Sequence, residues 1–231
     1  MAAADPRLIV PLDVPTADDA RRLVAGLGDA VSFYKVGLEL FASDAMALAR
    51  ELKAGGKQVF LDWKLHDIGA TVERASAVLA RSGCDFLTVH AEPQVMRAAV
   101  KGRGGSDLKI LAVTVLTSLD DGDLAEMGFS EPAAALVERR IRQALVAGCD
   151  GVIASPQEAQ MARALGGPDF LVVTPGVRPE GSARNDQARA ATPAEALRAG
   201  ASHIVCGRPI TAAADPRDAA LRVAAEMAKL A

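Results

Sequence analysis

Aromatic residues make up only 3% of this 231-residue sequence, although its hydrophobic fraction is 50%. A core of that composition is built from Ala, Val, Leu and Ile, as in layered α/β packing. Cysteine is nearly missing: Cys84, Cys149 and Cys206 are scattered, each at an edge of an apolar run. An odd, dispersed set does not read as a disulfide framework, and none has a Cys or His at metal-ligand spacing. Buried reduced thiols and no structural zinc are expected. Charge of one sign is also lacking: the net charge of −3 provides no basic field for nucleic acid or an anionic membrane, so neither is an expected partner. Any anionic ligand must be held by local groups. No run of about twenty apolar residues is present, and residues 1–7 carry no basic segment followed by an apolar stretch. Neither a membrane span nor a signal peptide is predicted, and the expected location is cytoplasmic.

What the chain does have is alternation. Residues 8–14, 32–37, 58–65, 86–91, 109–116, 151–155, 170–176 and 203–208 read as short apolar strands. Helical stretches are predicted at 17–27, 38–53, 75–81, 93–100, 132–147, 157–165, 194–199 and 218–230. About eight strand–helix units without a composition break predict one (β/α)8 TIM barrel, a single α/β domain over residues 1–231. A doubly wound open sheet is the alternative. Against it, the first turn, Asp13-Val14-Pro15-Thr16, lacks the glycine fingerprint of a dinucleotide site.

The stretch Phe60-Leu61-Asp62-Trp63-Lys64-Leu65-His66-Asp67-Ile68-Gly69-Ala70-Thr71 places ionisable residues at the end of a buried strand. In an extended strand Phe60, Asp62 and Lys64 share one face, and Leu61, Trp63 and Leu65 the other. Asp67 leaves that alternation and is placed in the following loop, free to serve a different pocket. An isolated Asp-x-Lys is usually a surface ion pair of little energetic worth. Here the preceding Gln58-Val59-Phe60-Leu61 has no polar alternation, which favours a functional pair. Polar residues recur in the same place elsewhere: Asp13, Lys35, His90, Thr117 with Ser118, Gly176 with Arg178, and Gly207 with Arg208 all fall at or just past strand C-terminal ends. In a barrel those ends converge on one mouth, so a shared site is predicted.

Thr174-Pro175-Gly176-Val177-Arg178-Pro179 and Val205-Cys206-Gly207-Arg208-Pro209 each put a Gly at a strand end with an Arg following. Bare N–H groups and a guanidinium after the seventh and eighth strands suit a phosphate. Residues 178–192, including Asn185, Asp186 and Gln187, show no periodicity and read as a lid over that site, with Gln187 its best contact. Among the histidines, His203 opens a strand and reads as structural, and His66 has no predicted partner. His90 can face the mouth, yet Lys64 lies nearer the organising cluster. Thr117 and Ser118 lack an identifiable base, so hydrogen bonding to a polar ring is their expected work.

Taken together, Asp62-Trp63-Lys64-Leu65-His66-Asp67-Ile68, Asp13, Lys35, Val115-Leu116-Thr117-Ser118, Thr174 to Pro179, Asn185-Asp186-Gln187 and Gly207-Arg208 resemble the bacterial orotidine 5′-phosphate decarboxylase family in chain order from the first strand to the eighth. Relatives usually follow the Asp-Ile pair with Pro-Asn-Thr, whereas this chain has Gly69-Ala70-Thr71. The resemblance implies a homodimeric barrel that converts orotidine 5′-phosphate to UMP and CO2 without metal or organic cofactor. It implies a charge network of Lys35, Asp62, Lys64 and the neighbouring subunit's copy of Asp67, with Lys64 as the reacting group and with Ile68 and Thr71 also reaching across. Asp13 and Lys35 would meet the ribose, Thr117 and Ser118 the pyrimidine, Pro175 the substrate, and Arg178, Gln187, Gly207 and Arg208 the phosphate. Two rivals remain. A magnesium-dependent sugar-phosphate decarboxylase of the same superfamily would need a further carboxylate, for which Glu39 is the nearby candidate. A non-catalytic nucleotide-binding barrel would have no use for the costly Asp62/Lys64 pair.

Overall fold

A computed structural model describes residues 4–179 and 191–229. The first half of the chain runs β1 (Leu8–Pro11), α1 (Ala17–Leu27), β2 (Phe33–Val36), α2 (Ala45–Ala54), β3 (Gln58–Leu65), α3 (Gly69–Ala80), β4 (Phe86–His90) and α4 (Pro93–Arg103). The second half runs β5 (Lys109–Val113), α5 (Asp121–Glu126), α6 (Ala133–Ala147), β6 (Gly151–Ile153), α7 (Ala159–Gly166), β7 (Leu171–Thr174), α8 (Pro193–Arg198), β8 (His203–Val205), α9 (Arg208–Thr211) and α10 (Pro216–Ala228). The strands are parallel and close in sequence order, with β1 and β8 joined by Leu8 opposite Ile204 and Ile9 opposite Val205. The predicted barrel is what the chain forms.

Strand alternation divides the apolar side chains into two cores. Inside the barrel, Ile9, Phe33, Phe60, Phe86, Leu111, Val173 and Val205 form one cluster. Three of the six phenylalanines sit there: Phe86 packs edge-on against Phe33 and Phe60 at 5.0 and 5.9 Å between ring centres. Such pairs add about 0.5–1.5 kcal/mol each beyond the area they bury. Residues of the other parity, such as Leu8, Val10, Tyr34, Val59, Leu61 and Leu87, pack outward against the helices. The inner cluster is a solid floor. The next inward positions towards the strands' C-terminal ends are Lys35, Asp62, Thr88 and Val113, which therefore stand on it.

Several local expectations need correction. The helix predicted over 38–53 is a 3-10 turn at Leu38–Leu40 followed, after a break, by α2, because Asp44 takes a left-handed conformation (φ 52°) before the helix starts. Helix α3 begins at Gly69 rather than near residue 75, so Gly69 and Ala70 open a helix instead of extending a loop. Helix α5 was not predicted; reciprocal bonds between Asp120 and Asp123 cap its start, offsetting its short length. Strand β3 is not uniformly extended. Leu61 pairs with Leu87 and Leu65 with Val89, so β3 uses four residues where β4 uses two, and Lys64 within that bulge has φ +47°.

Candidate active site

The inward residues at the C-terminal end of the barrel form a chain of alternating charge. Lys35 Nζ lies 3.1 Å from Asp13 Oδ1 and 3.3 Å from Asp62 Oδ2, and Lys64 Nζ lies 2.9 Å from Asp62 Oδ1. Lys35 and Asp62 are nearly buried, whereas Asp13 is half-exposed at the rim. Burial works to raise the Asp62 carboxyl, but Lys35, Lys64 and hydrogen bonds from Lys64 and Thr88 together hold it below its ordinary value of 3.8. The site thus keeps a buried carboxylate ionised between two ammonium groups.

Two residues that sequence reasoning passed over complete this arrangement. Thr88 is fully buried on β4; its Oγ donates to Asp62 Oδ1 at 2.9 Å and accepts from the Lys64 backbone N–H at 3.0 Å. Its signal was parity, since Phe86, Thr88 and His90 share the inward face. Gly37 lies against the Asp13–Lys35 pair, where a Cβ would come within 2.8 Å of both Asp13 Oδ1 and Lys35 Nζ. A side chain at this position would push one of those two charged ends aside. A left-handed non-glycine residue costs about 1–3 kcal/mol and persists only where its surroundings over-determine it, which makes Lys64 the strained residue of the site.

A cavity of about 190 Å³ opens beside the network, lined by Lys35, Phe60, Asp62, Lys64, Val113, Val115, Leu116, Thr117, Ile153, Pro175 and Val205. It has charge on one wall and apolar groups on the others. Of the predicted residues, Lys35, Asp62, Lys64, Thr117 and Pro175 line it, and Asp13 adjoins through Lys35. Ser118 is exposed on the turn after β5. Arg178 is 7% exposed, and its Nη1 donates to the Val177 carbonyl at 2.9 Å, while its Nε has no partner among the described residues. Gly207 caps the short α9, and Arg208 is exposed at its start. Gln187, with Asn185, Asp186 and the rest of residues 180–190 of the expected lid, lies outside the described residues.

Asp67 does not join the network of its own chain. It is exposed and its Oδ1 accepts from the Ile68 N–H at 2.6 Å; Ile68 is exposed beside it, and Thr71 is half-buried in the first turn of α3. His66, expected to lack a partner, packs on His90 at 5.0 Å between rings and lies 3.6 Å from Glu92. Burial, more than any neighbouring charge, lowers the His90 pKa below 6.5. Glu39 is exposed in the turn after β2, and among the described residues no group of three or more His, Cys, Asp or Glu is placed to hold a metal ion.

A closed parallel barrel with an Asp-Lys-Asp-Lys chain at its mouth, beside a mostly apolar pocket, defines a (β/α)8 barrel with one charged site at the C-terminal ends of its strands. Residues 6–223 match the model of the orotidine 5′-phosphate decarboxylase / HUMPS family, and the chain belongs to that family. It is 73% identical over 229 residues to the orotidine 5′-phosphate decarboxylase of Caulobacter vibrioides, covering 97% of this chain and 98% of that one. With the Rhodopseudomonas palustris (strain BisB5) protein of the same name it shares 54% identity over 99% of both chains. The crystal structure of the Lactobacillus acidophilus orotidine 5′-phosphate decarboxylase superposes with a TM-score of 0.85 at 39% identity, covering 96% of this chain and 99% of that one.

Proposed function

We propose that this chain decarboxylates orotidine 5′-phosphate to UMP and CO2, without metal or organic cofactor, as a single-domain enzyme of pyrimidine biosynthesis. The observation that carries the proposal is the ion-paired Lys64 at the wall of the cavity, held 2.9 Å from a buried carboxylate. Loss of CO2 leaves an electron pair on a ring carbon with no adjacent carbonyl to delocalise it, so the transition state is a nearly localised carbanion. An ammonium fixed in a closed pocket stabilises that charge by preorganised electrostatics, and it then gives its proton to the carbon. Asp62 pairs with that amine and holds it aimed at the cavity, and Lys35 holds the other oxygen of the same carboxylate. The apolar wall of Val113, Val115, Ile153 and Val205 suits the flat pyrimidine, with Thr117 and Ser118 bonding its polar edge and Pro175 bounding the pocket. Asp13 and Lys35 are assigned to the ribose, and Arg178, Gln187, Gly207 and Arg208 to the phosphate. Phosphate binding remote from the reacting carbon contributes to the chemical step by holding the site closed.

The second half of the proposal is a homodimer in which Asp67, Ile68 and Thr71 of each subunit serve the other's pocket. Asp67 is turned away from its own network, and Leu38, Phe41 and Ile68 are exposed large apolar residues on the loops after β2 and β3. Phe41 packs on Trp63 at 5.1 Å, so this apolar rim continues from the strand that carries Lys64. The test is loss of orotidine 5′-phosphate absorbance with a chelator present. Full turnover under those conditions is expected; no turnover until magnesium is added, or turnover of a sugar phosphate instead, would favour the other branch of the family.

A further inference from the structure

Resting on that reading of the site, we propose that Thr88 is a positioning residue for the reacting amine: its hydroxyl clamps the bulged Lys64 backbone and the Asp62 carboxylate into one closed ring. The argument begins with the bulge. Where β3 spends four residues against two of β4, the regular ladder is interrupted between Leu61 and Leu65, and Lys64 sits there with φ +47°. Its N–H is taken by Thr88 Oγ at 3.0 Å, so a side chain on the adjoining strand satisfies the peptide group of the displaced residue.

A hydroxyl has one proton, and Thr88 gives it to Asp62 Oδ1 at 2.9 Å. The same carboxylate oxygen holds Lys64 Nζ at 2.9 Å. The ring therefore runs from the Lys64 peptide through Thr88 to Asp62, and back through the amine to the same lysine. Asp62 Oδ2 faces Lys35 Nζ, with Asp13 beyond it, so no other described acid or base is bonded to the carboxylate. Thr88 is fully buried and branched at Cβ, so water does not compete and its side-chain rotation is restricted. Valine would fill the same space without either bond, leaving the Lys64 N–H unpaired and Asp62 Oδ1 with the Lys64 amine alone.

The decisive comparison is Thr88→Val against Thr88→Ser. The valine variant should lose about 10- to 100-fold in kcat with KM within about threefold of wild type, because the bonds it lacks orient the reacting group rather than hold the substrate. The acid limb of its kcat/KM profile should move to higher pH as Asp62 loses a donor, and Thr88→Ser should restore both. A valine variant with kcat within about twofold of wild type, or a serine variant as slow as the valine one, overturns the clamp. If Thr88→Val does not fold, Thr88→Ala takes its place against Thr88→Ser with the same outcomes. Should the wild-type chain itself fail to turn over orotidine 5′-phosphate, the decarboxylase reading falls alone. The clamp is then decided by carbon NMR titration of the Asp62 carboxyl, which should titrate at higher pH without the hydroxyl; an unchanged titration overturns it.

Discussion

At Lys64 the demands of strand and site diverge. A regular β3 would keep the backbone extended, whereas this residue adopts φ +47° and ends with its amine 2.9 Å from a carboxylate on the same strand. Such strain is tolerated because Thr88 and Asp62 bond its peptide N–H and its amine, and Lys35 holds Asp62 in turn. Lys64→Ala removes both the charge that stabilises the carbanion and the proton donor. Turnover should fall by at least about 10³-fold, while binding of UMP, measured by calorimetry, is retained. Comparable turnover in the variant would contradict the role given to this amine. Gly37 belongs to the same scale: with 2.8 Å to two charged atoms from a notional Cβ, it is defined by what it leaves room for.

Between elements, the loop carrying Asp67 is held from behind by close packing of α3 on α4. A Cβ on Gly102 would lie 2.2 Å from the Glu73 carbonyl oxygen, and one on Gly69 would meet Gln94 Nε2 at 3.3 Å. The first of these is a collision with backbone, so Gly102→Ala must push the helices apart. A cost of about 1–3 kcal/mol is expected, which for a chain of this size lowers Tm by roughly 4–8 °C near the middle of that range. Thermal melting checks it; an unchanged Tm would mean the helices are free to separate. The contact also gives Gly69-Ala70 a structural context: these residues start α3, and Gly69 faces the side chain of Gln94 rather than a solvated loop.

For the whole molecule, the proposed exchange of Asp67 makes activity a property of the pair. Asp67→Ala and Lys64→Ala are each expected to be inactive, yet unfolding and refolding them together should restore roughly one quarter of wild-type activity, since half the dimers are mixed and each mixed dimer has one native site. No recovery would place Asp67 outside the partner's site. The floor of the barrel sets a second property. His203 lies against Phe33 and Phe86, with ring centres 5.9 and 5.2 Å away, and burial pushes its pKa from 6.5 to about 4. As pH falls below 6.5 the unfolded chain takes a proton that the folded one refuses until about 4, so stability is greatest above that window and declines across it by up to about 3 kcal/mol. Denaturant unfolding at pH 7 and pH 4.5 should show a smaller loss for His203→Gln than for wild type; equal losses would assign the acid sensitivity elsewhere.

Periodicity alone was enough to determine the strand–helix alternation and the polar strand ends, because both repeat along the chain and a barrel forces the ends to converge. That is why Asp13, Lys35, Asp62 and Lys64 were legible as one group before any distance was known. The bulge in β3, the partners that the Thr88 hydroxyl bonds and the room left by Gly37 were not. Each depends on how a neighbouring strand or loop passes at a few ångströms, and neither parity nor spacing in one segment carries that information. The start of α3 at Gly69 and the pairing of His66 with His90 and Glu92 were decided in the same way, by packing between segments that are separate in the chain. Residue order determined which chemistry stands at the mouth, and tertiary contact decided which way each group points, because the energy of holding a charge in place comes from neighbours supplied by other strands.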